Sequence, residues 1–472
     1  MIAQGLTVAL LFAQAAPLSP LGEAGPVLTL GEALGEAQAK NLDLRVARER
    51  LIESKELHAE AWAAYLPQVT ANGTYTHNSF SDVTFPENYA IGDCGSPGCS
   101  FDTQGHPVLA PPGGPALGAN ASPYAIVPVG APALIQKQEQ LTAQLQATQA
   151  ILAPQAWYGI ASARAGEDLA AETTEGTRRD ILFAAAQAYY SAASQKQVVR
   201  IQERQLGIAL DHEKDARIRY EAGTATKVTL LRAEIDRARA EQDLKRAQNG
   251  YVSSRVALAT LIDREDVAFE VEVPAHPELP SADEQALEEA ALRDRPDVRA
   301  AALQIAVSEK NHDGVVSRYF PSLGAFGRYQ YSNAAGFSGV TSTWAVGLSL
   351  NLTLLDGLLR ESDLRESDAK IREALASDAS TRAKALEEVK QARLDFDSAV
   401  ANREKAKEEL SFAQENQRLV NVNYQAGAAT YLEVSDANTA LLQAELTEVS
   451  ETLNADLAAL RVLKAVGAFD PK

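Results

Sequence analysis

Arg219-Tyr220-Glu221-Ala222-Gly223-Thr224-Ala225-Thr226 returns further along the chain as Asn423-Tyr424-Gln425-Ala426-Gly427-Ala428-Ala429-Thr430. Both copies carry Tyr-x-Ala-Gly-x-Ala-Thr, and each lies between long segments rich in Ala, Glu, Lys and Arg. Glycine takes the left-handed conformation that ends a helix without a Cβ clash. The threonine three residues later is able to cap the next helix. Residues 220–226 and 424–430 therefore read as the tips of two helical hairpins, over about 161–261 and 358–463. Apolar residues recur at three- and four-residue spacing along the return arm, as at Leu230, Ala233 and Ala240. Small alanines in that stripe suit close helix packing. At 1.5 Å per residue, an outgoing arm of about 55 residues spans roughly 80 Å.

The tips are one sign of a wider duplication. Asn41 near the start has its counterpart in Arg295, and Tyr65-Leu66-Pro67 in Tyr319-Phe320-Pro321, both displaced by 254 positions. The tips are displaced by 204, which places a surplus of 50 residues in the first half, between Tyr65 and the first tip. After each Tyr-x-Pro the period falls to two. Val69, Ala71, Gly73 and Tyr75 alternate with polar residues, and Leu323, Ala325, Gly327 and Tyr329 repeat the pattern. Similar alternation at Leu141–Ala147 and Trp344–Leu352 supplies a partner for each. The four strands, at about 66–78, 138–150, 320–332 and 342–354, have the length that crosses a bilayer at a tilt. The segment 79–134, full of Pro and Gly, reads as an elaborated extracellular loop.

The chain thus divides into a signal peptide (1–15), an N-terminal linker (16–27), a first repeat (28–266), an inter-repeat linker (267–280) and a second repeat (281–472). The signal rests on the apolar run Leu6–Ala13 followed by Ala13-Gln14-Ala15, a small-x-small cleavage pattern. Cys94 and Cys99 are the only cysteines, and in an exported protein they read as a local disulfide. Asp93 and His106 lie near, but the spacing fits no common zinc pattern. With 63 acidic against 44 basic residues, nucleic acid is excluded as a partner. The six histidines are scattered, none beside a nucleophile, and no phosphate loop appears, so neither an enzyme nor a cofactor is expected.

Four strands cannot close a barrel, and lipid does not tolerate an open sheet edge. Spanning barrels begin at eight strands. The chain must then oligomerise, and twelve strands from a trimer leave room for a pore where eight do not. A soluble coiled-coil protein or a periplasmic adaptor is the alternative. Adaptors normally present one hairpin between compact β-rich domains, whereas two hairpins are read here.

On these residues the chain resembles the TolC-like outer-membrane efflux family. The resemblance runs from Leu28 to Gly467. It is carried by Leu28-Thr-Leu-Gly-Glu-Ala-Leu34, the two Tyr-x-Pro strand starts, Leu348-Ser-Leu-Asn-Leu-Thr-Leu-Leu-Asp-Gly357 and the paired tips. It implies a mainly α fold with a membrane β-barrel: a homotrimer with twelve strands in outer-membrane lipid and a tunnel of helices in the periplasm of a Gram-negative envelope. It also implies a passive exit duct of a tripartite efflux or type I secretion system. Its partners would be a periplasmic adaptor and an inner-membrane transporter of the RND or ABC type. The adaptor-docking positions fall on Tyr220, Gly223, Thr226, Tyr424, Gly427 and Thr430. The periplasmic gate falls on Tyr424, Glu433 and Asp436, whose carboxylates in a trimeric ring would favour cations. Both carboxylates are equally what a helix N-terminus attracts in its first turn. Two positions depart from the family pattern. Ala429 stands where some members carry a gate-locking arginine, and Thr229 where an acid is frequent.

Overall fold

A computed structural model describes residues 26–79, 84–86, 89–93, 99–101, 107–109, 124–128, 132–134, 137–278, 283–334 and 340–470. The signal peptide and Cys94, with the bond expected between Cys94 and Cys99, lie outside the described residues. The first repeat opens with β1 (Val27–Leu28), α1 (Leu30–Lys40) and α2 (Leu42–Ala63), then β2 (Gln68–His77). Six short strands follow: β3 (Thr84–Pro86), β4 (Tyr89–Asp93), β5 (Cys99–Phe101), β6 (Pro107–Leu109), β7 (Tyr124–Pro128) and β8 (Pro132–Leu134). The repeat closes with β9 (Glu139–Leu152), α3 (Pro154–Glu221) and α4 (Lys227–Leu261). After β10 (Glu270–Val271) the second repeat runs α5 (Glu284–Asp294), α6 (Pro296–Val316), β11 (Ser322–Ser332), β12 (Ser342–Asn351), α7 (Leu359–Gln425) and α8 (Tyr431–Ala465). The duplication is visible element by element. α1 and α5 have 11 residues each, and α4 and α8 have 35 each.

The chain forms two compact units, residues 58–161 with 310–367, and the remainder. In the smaller unit the long strands make one antiparallel sheet in the order β12-β11-β9-β2. Each repeat's own pair is joined to the other's through β11 and β9. The register aligns side chains in rows across all four strands. Ala71, Leu145, Tyr329 and Trp344 form one row, and Val69, Ala147, Gly327 and Val346 the next on the same face. Trp344 is 74% exposed and Val346 72%, so a predominantly apolar face is left open. The row between them, Thr70, Gln146, Arg328 and Ala345, lies on the opposite, polar face.

The loop expected over 79–134 is more regular than its composition suggests. Within its described residues β3 pairs with β8, β4 with β7 and β5 with β6, all antiparallel. Strand pairing satisfies backbone groups directly and needs no apolar core, which is why the scattered hydrophobic pattern concealed it. The helix placed from about 161 starts earlier, at Pro154. Proline favours the first helical position, where the missing N–H has no partner to lose.

The larger unit is organised around α3. Leu182, Ala185, Ala186, Tyr189 and Ala192 pack with Leu28, Leu258 and Phe269 in its main core. The segment assigned as an inter-repeat linker is part of that core. β10 pairs in parallel with β1. The Tyr189 hydroxyl donates to the Leu28 carbonyl (2.8 Å) and accepts the Glu272 N–H (3.1 Å). Lys196 donates to the Val271 carbonyl, and Arg255 to that of Phe269, both at 2.9 Å. Phe269 to Glu272 alternates apolar and charged residues because Phe269 and Val271 are buried in the core.

Candidate functional site

Both hairpin tips are closed by the same backbone device. At the first, Gly223 sits at φ +72°. Its N–H donates to the Tyr220 carbonyl (3.0 Å), and the Thr224 N–H reaches the Arg219 carbonyl (2.8 Å). At the second, Gly427 sits at φ +75°, with Gly427 N–H to Tyr424 (3.1 Å) and Ala428 N–H to Asn423 (2.8 Å). These are the paired bonds of a Schellman ending, which return orphan carbonyls to N–H donors. A Cβ built on either glycine meets no heavy atom within 4 Å. The glycines are therefore required by backbone conformation, and the space beside them is open.

The helix starts beyond the tips differ. Thr226 caps α4 through its hydroxyl, which accepts the Thr229 N–H (3.3 Å). Thr430 caps α8 and is capped in return. Its hydroxyl accepts the Glu433 N–H (3.3 Å), and the Glu433 carboxylate accepts the Thr430 N–H (2.6 Å). Glu433 is thus tied to its own helix start. The Thr430 backbone N–H first, then its hydroxyl, holds the Glu433 carboxyl below the usual range. Because the folded value is lowered, the contact is intact at neutral pH and is lost as pH falls through that lowered value. Asp436, one turn on, is exposed.

Behind the tips, side chains from the two repeats meet. The Arg219 guanidinium lies over the Tyr424 ring, 4.7 Å from its centroid, and pairs with Asp215 (2.8 Å). Burial raises the Tyr424 pKa, with Arg219 pulling the other way. The Tyr431 and Ser435 hydroxyls both donate to Asp236, at 3.0 and 3.2 Å. One layer deeper, Asn438 donates its amide N–H to His212 Nε2 (3.1 Å), and its carbonyl accepts from Gln417 (3.1 Å). Burial pushes the His212 pKa down against the pull of Asp215, Asp211 and Asp236, which keeps the ring neutral and able to accept. A polar cleft of about 200 Å³ lies among these groups.

Of the residues singled out in the sequence, Tyr424, Glu433, Thr226 and Thr430 have defined side-chain partners, and all but the half-buried Tyr424 are exposed, as are Tyr220, Gly223, Gly427 and Asp436. Arg219, Asp215, Asp236, His212 and Asn438 escaped notice. Arg219 carried one readable signal, since its counterpart in the second tip is Asn423. Asp215 pairs locally with Arg219, while Asp236, His212 and Asn438 are joined across separations of about 200 residues and have no local signature. Among the described residues, no group of His, Cys, Asp or Glu is arranged to hold a metal ion.

Comparison with known proteins agrees with this architecture. Residues 287–468 match the family model described as Outer membrane efflux protein. Nodulation protein T of Rhizobium leguminosarum bv. trifolii is 28% identical over 153 residues, 32% of this chain and 33% of that protein. Outer membrane protein OprJ of Pseudomonas aeruginosa is 24% identical over 262 residues, 53% of each. The matches thus span about a third and about half of these two curated relatives. The solved structure of CusC, described in terms of transmembrane channel formation, superposes with a TM-score of 0.72 at 16% identity, covering 93% of this chain and 92% of that one. The chain has the TolC-like fold along nearly its whole length, and its second repeat matches the outer membrane efflux protein family.

Proposed function

We propose that this chain is the outer-membrane exit duct of a tripartite efflux or type I secretion system, a passive conduit from periplasm to exterior. The observation that carries the reading is the four-stranded sheet, apolar on one face, polar on the other and unpaired at both edges, β12 and β2. An open edge is costly in lipid, and pairing β12 of one copy with β2 of the next removes it. Three copies give twelve strands, with the apolar face against outer-membrane lipid and the polar face around a pore. Residues 1–15 are the export signal, and the extracellular loop is that of 79–134. The helical hairpins form the periplasmic tunnel.

The open space beside Gly223 and Gly427 supports docking of a periplasmic adaptor at the tips, which joins an inner-membrane transporter of the RND or ABC type. The gate lies at Tyr424, Glu433 and Asp436. With Ala429 in place of the lock arginine, the cation on Tyr424 is supplied by Arg219 of the first hairpin. Glu433 serves the helix start, which leaves Asp436 as the carboxylate free to face the passage.

Extraction of outer membranes in mild detergent tests the reading. A trimer that resists unheated electrophoresis and falls to monomer on heating is expected. Gly427→Trp is expected to keep that trimer and to lose adaptor cross-linking. A periplasmic, monomeric protein would overturn the proposal.

A further inference from the structure

The polar face of the sheet is almost uniformly neutral. Thr70, Asn72 and Thr74 of β2 are followed across the ladder by Thr142, Gln144 and Gln146 of β9, then by Ser349 and Thr343 on β12. Among the described strand residues on this face, Arg328 is the single charged side chain. It stands at the seventh of the 11 residues of β11, well inside the ladder, and it is exposed.

Among the described residues nothing engages its guanidinium. Directly across the strands stand Gln146 and Ala345. The Gln146 side-chain carbonyl already accepts the Gln144 amide at 2.9 Å. On the β12 side, Gly347 faces Phe326, whose ring lies 3.0 Å from where a Cβ on that glycine would be. Directly across on that side stand a hydrocarbon ring and a methyl group, and no carboxylate. No ion pair holds Arg328 among the described residues, and no carboxylate of the described strands shares its face. The sheet's only such carboxylate, Glu139, is on the apolar side, beside Leu141, where it meets His77 (2.7 Å). A cation with five N–H donors is thus presented to whatever runs along the polar face.

We infer that Arg328 forms a three-fold ring of cations in the barrel lumen and biases the conduit toward anionic cargo. The inference rests on the trimeric channel reading above and adds a substrate class to it. It opposes in sign the cation preference expected of carboxylates at the periplasmic end.

The test is ion selectivity of the full-chain trimer in planar lipid bilayers under a KCl gradient. The dilute side is kept near 0.01 M, where the screening length is about 30 Å. For Arg328→Gln the chloride-to-potassium permeability ratio is expected to fall by about threefold or more, as removal of a charged ring should produce. Arg328→Glu should lower it further, and Arg328→Lys should leave it near wild type. Unheated electrophoresis shows that each variant remains trimeric. A ratio unchanged in Arg328→Gln, with current still flowing, overturns the inference and leaves the channel standing. A wild-type trimer that inserts and carries no current overturns the channel reading and the inference together.

Discussion

At the scale of single residues, two glycines in the same backbone conformation have different reasons to be there. Gly223 at the first tip and Gly467 after α8 sit at φ +72° and +73°. Each ends its helix with the same paired bonds, Ala468 N–H to Leu463 (2.9 Å) and Gly467 N–H to Lys464 (3.0 Å) in the latter case. A Cβ on Gly223 meets open space, whereas one on Gly467 falls 2.9 Å from the Asp294 carbonyl carbon. Gly223→Ala therefore carries only the left-handed strain, about 1–2 kcal/mol. Gly467→Ala adds a clash with backbone, which has no rotamer to give, and is expected to cost at least about 1 kcal/mol more. Hydrogen exchange at the two helix ends measures both; equal losses of protection would show that the contact with Asp294 relaxes freely. The first repeat meets the same need with Asp263 at φ +49°, an acidic residue in a conformation that Asp tolerates better than most.

At the scale of elements, the hairpins are nearly identical in length and differ in how their return helices begin. α4 and α8 both have 35 residues, and both start from a threonine cap. Only α8 has the reciprocal bond from Glu433, because its third position is an acid where α4 has Thr229. Thr430→Ala removes the hydroxyl that accepts the Glu433 N–H and donates to the Glu433 carboxylate, leaving the backbone half of the pair, at an expected cost of about 1 kcal/mol. Thr226→Ala loses the cap on the Thr229 N–H and a contact between two exposed hydroxyls, with no carboxylate involved, and should cost less, about 0.5 kcal/mol. Amide exchange across 424–434 and 220–230 compares them. A larger loss at the first tip would mean that the Glu433 bond contributes nothing. The asymmetry places the firmer turn in the repeat that carries the candidate gate.

At the scale of the whole molecule, the two faces of the sheet are read by different solvents. Leu348, 66% exposed, is on the apolar face opposite Ala325. Its neighbour Ser349 is on the polar face opposite Gly324. If the apolar face meets lipid, Leu348→Arg places a charge in hydrocarbon and is expected to cost about 2–4 kcal/mol of insertion. Ser349→Arg should insert normally. The fraction of heat-modifiable trimer in outer membranes distinguishes them, and equal yields would argue that both faces meet water. A single position along one strand separates the variants, so length, expression and local β-propensity are nearly matched.

The sequence alone determined what depends on local pattern. Two-residue alternation at Val69–Tyr75 and Leu323–Tyr329 specified strands, since side chains on a strand alternate between faces. The glycine and threonine of each tip specified the helix stop and restart, since φ and cap chemistry are local. The recurrence of these signals in the same order, displaced by 254 positions at the strand starts and 204 at the tips, specified the duplication. Where the reading fell short, the missing information was not local. The segment 267–280 reads as a linker until Tyr189, Lys196 and Arg255 are seen to hold the backbone at Glu272, Val271 and Phe269. Arg219 is one more charge on a polar helix until Tyr424, brought beside it from the other repeat, turns its ring toward it. Arg328 reads as an ordinary polar-face residue until the register lines it up with Thr70, Gln146 and Ala345 and leaves it the only charge in the row. Only tertiary structure decides such matters, because an isolated residue carries its own charge and propensity but not the identity of the distant groups that will or will not answer them.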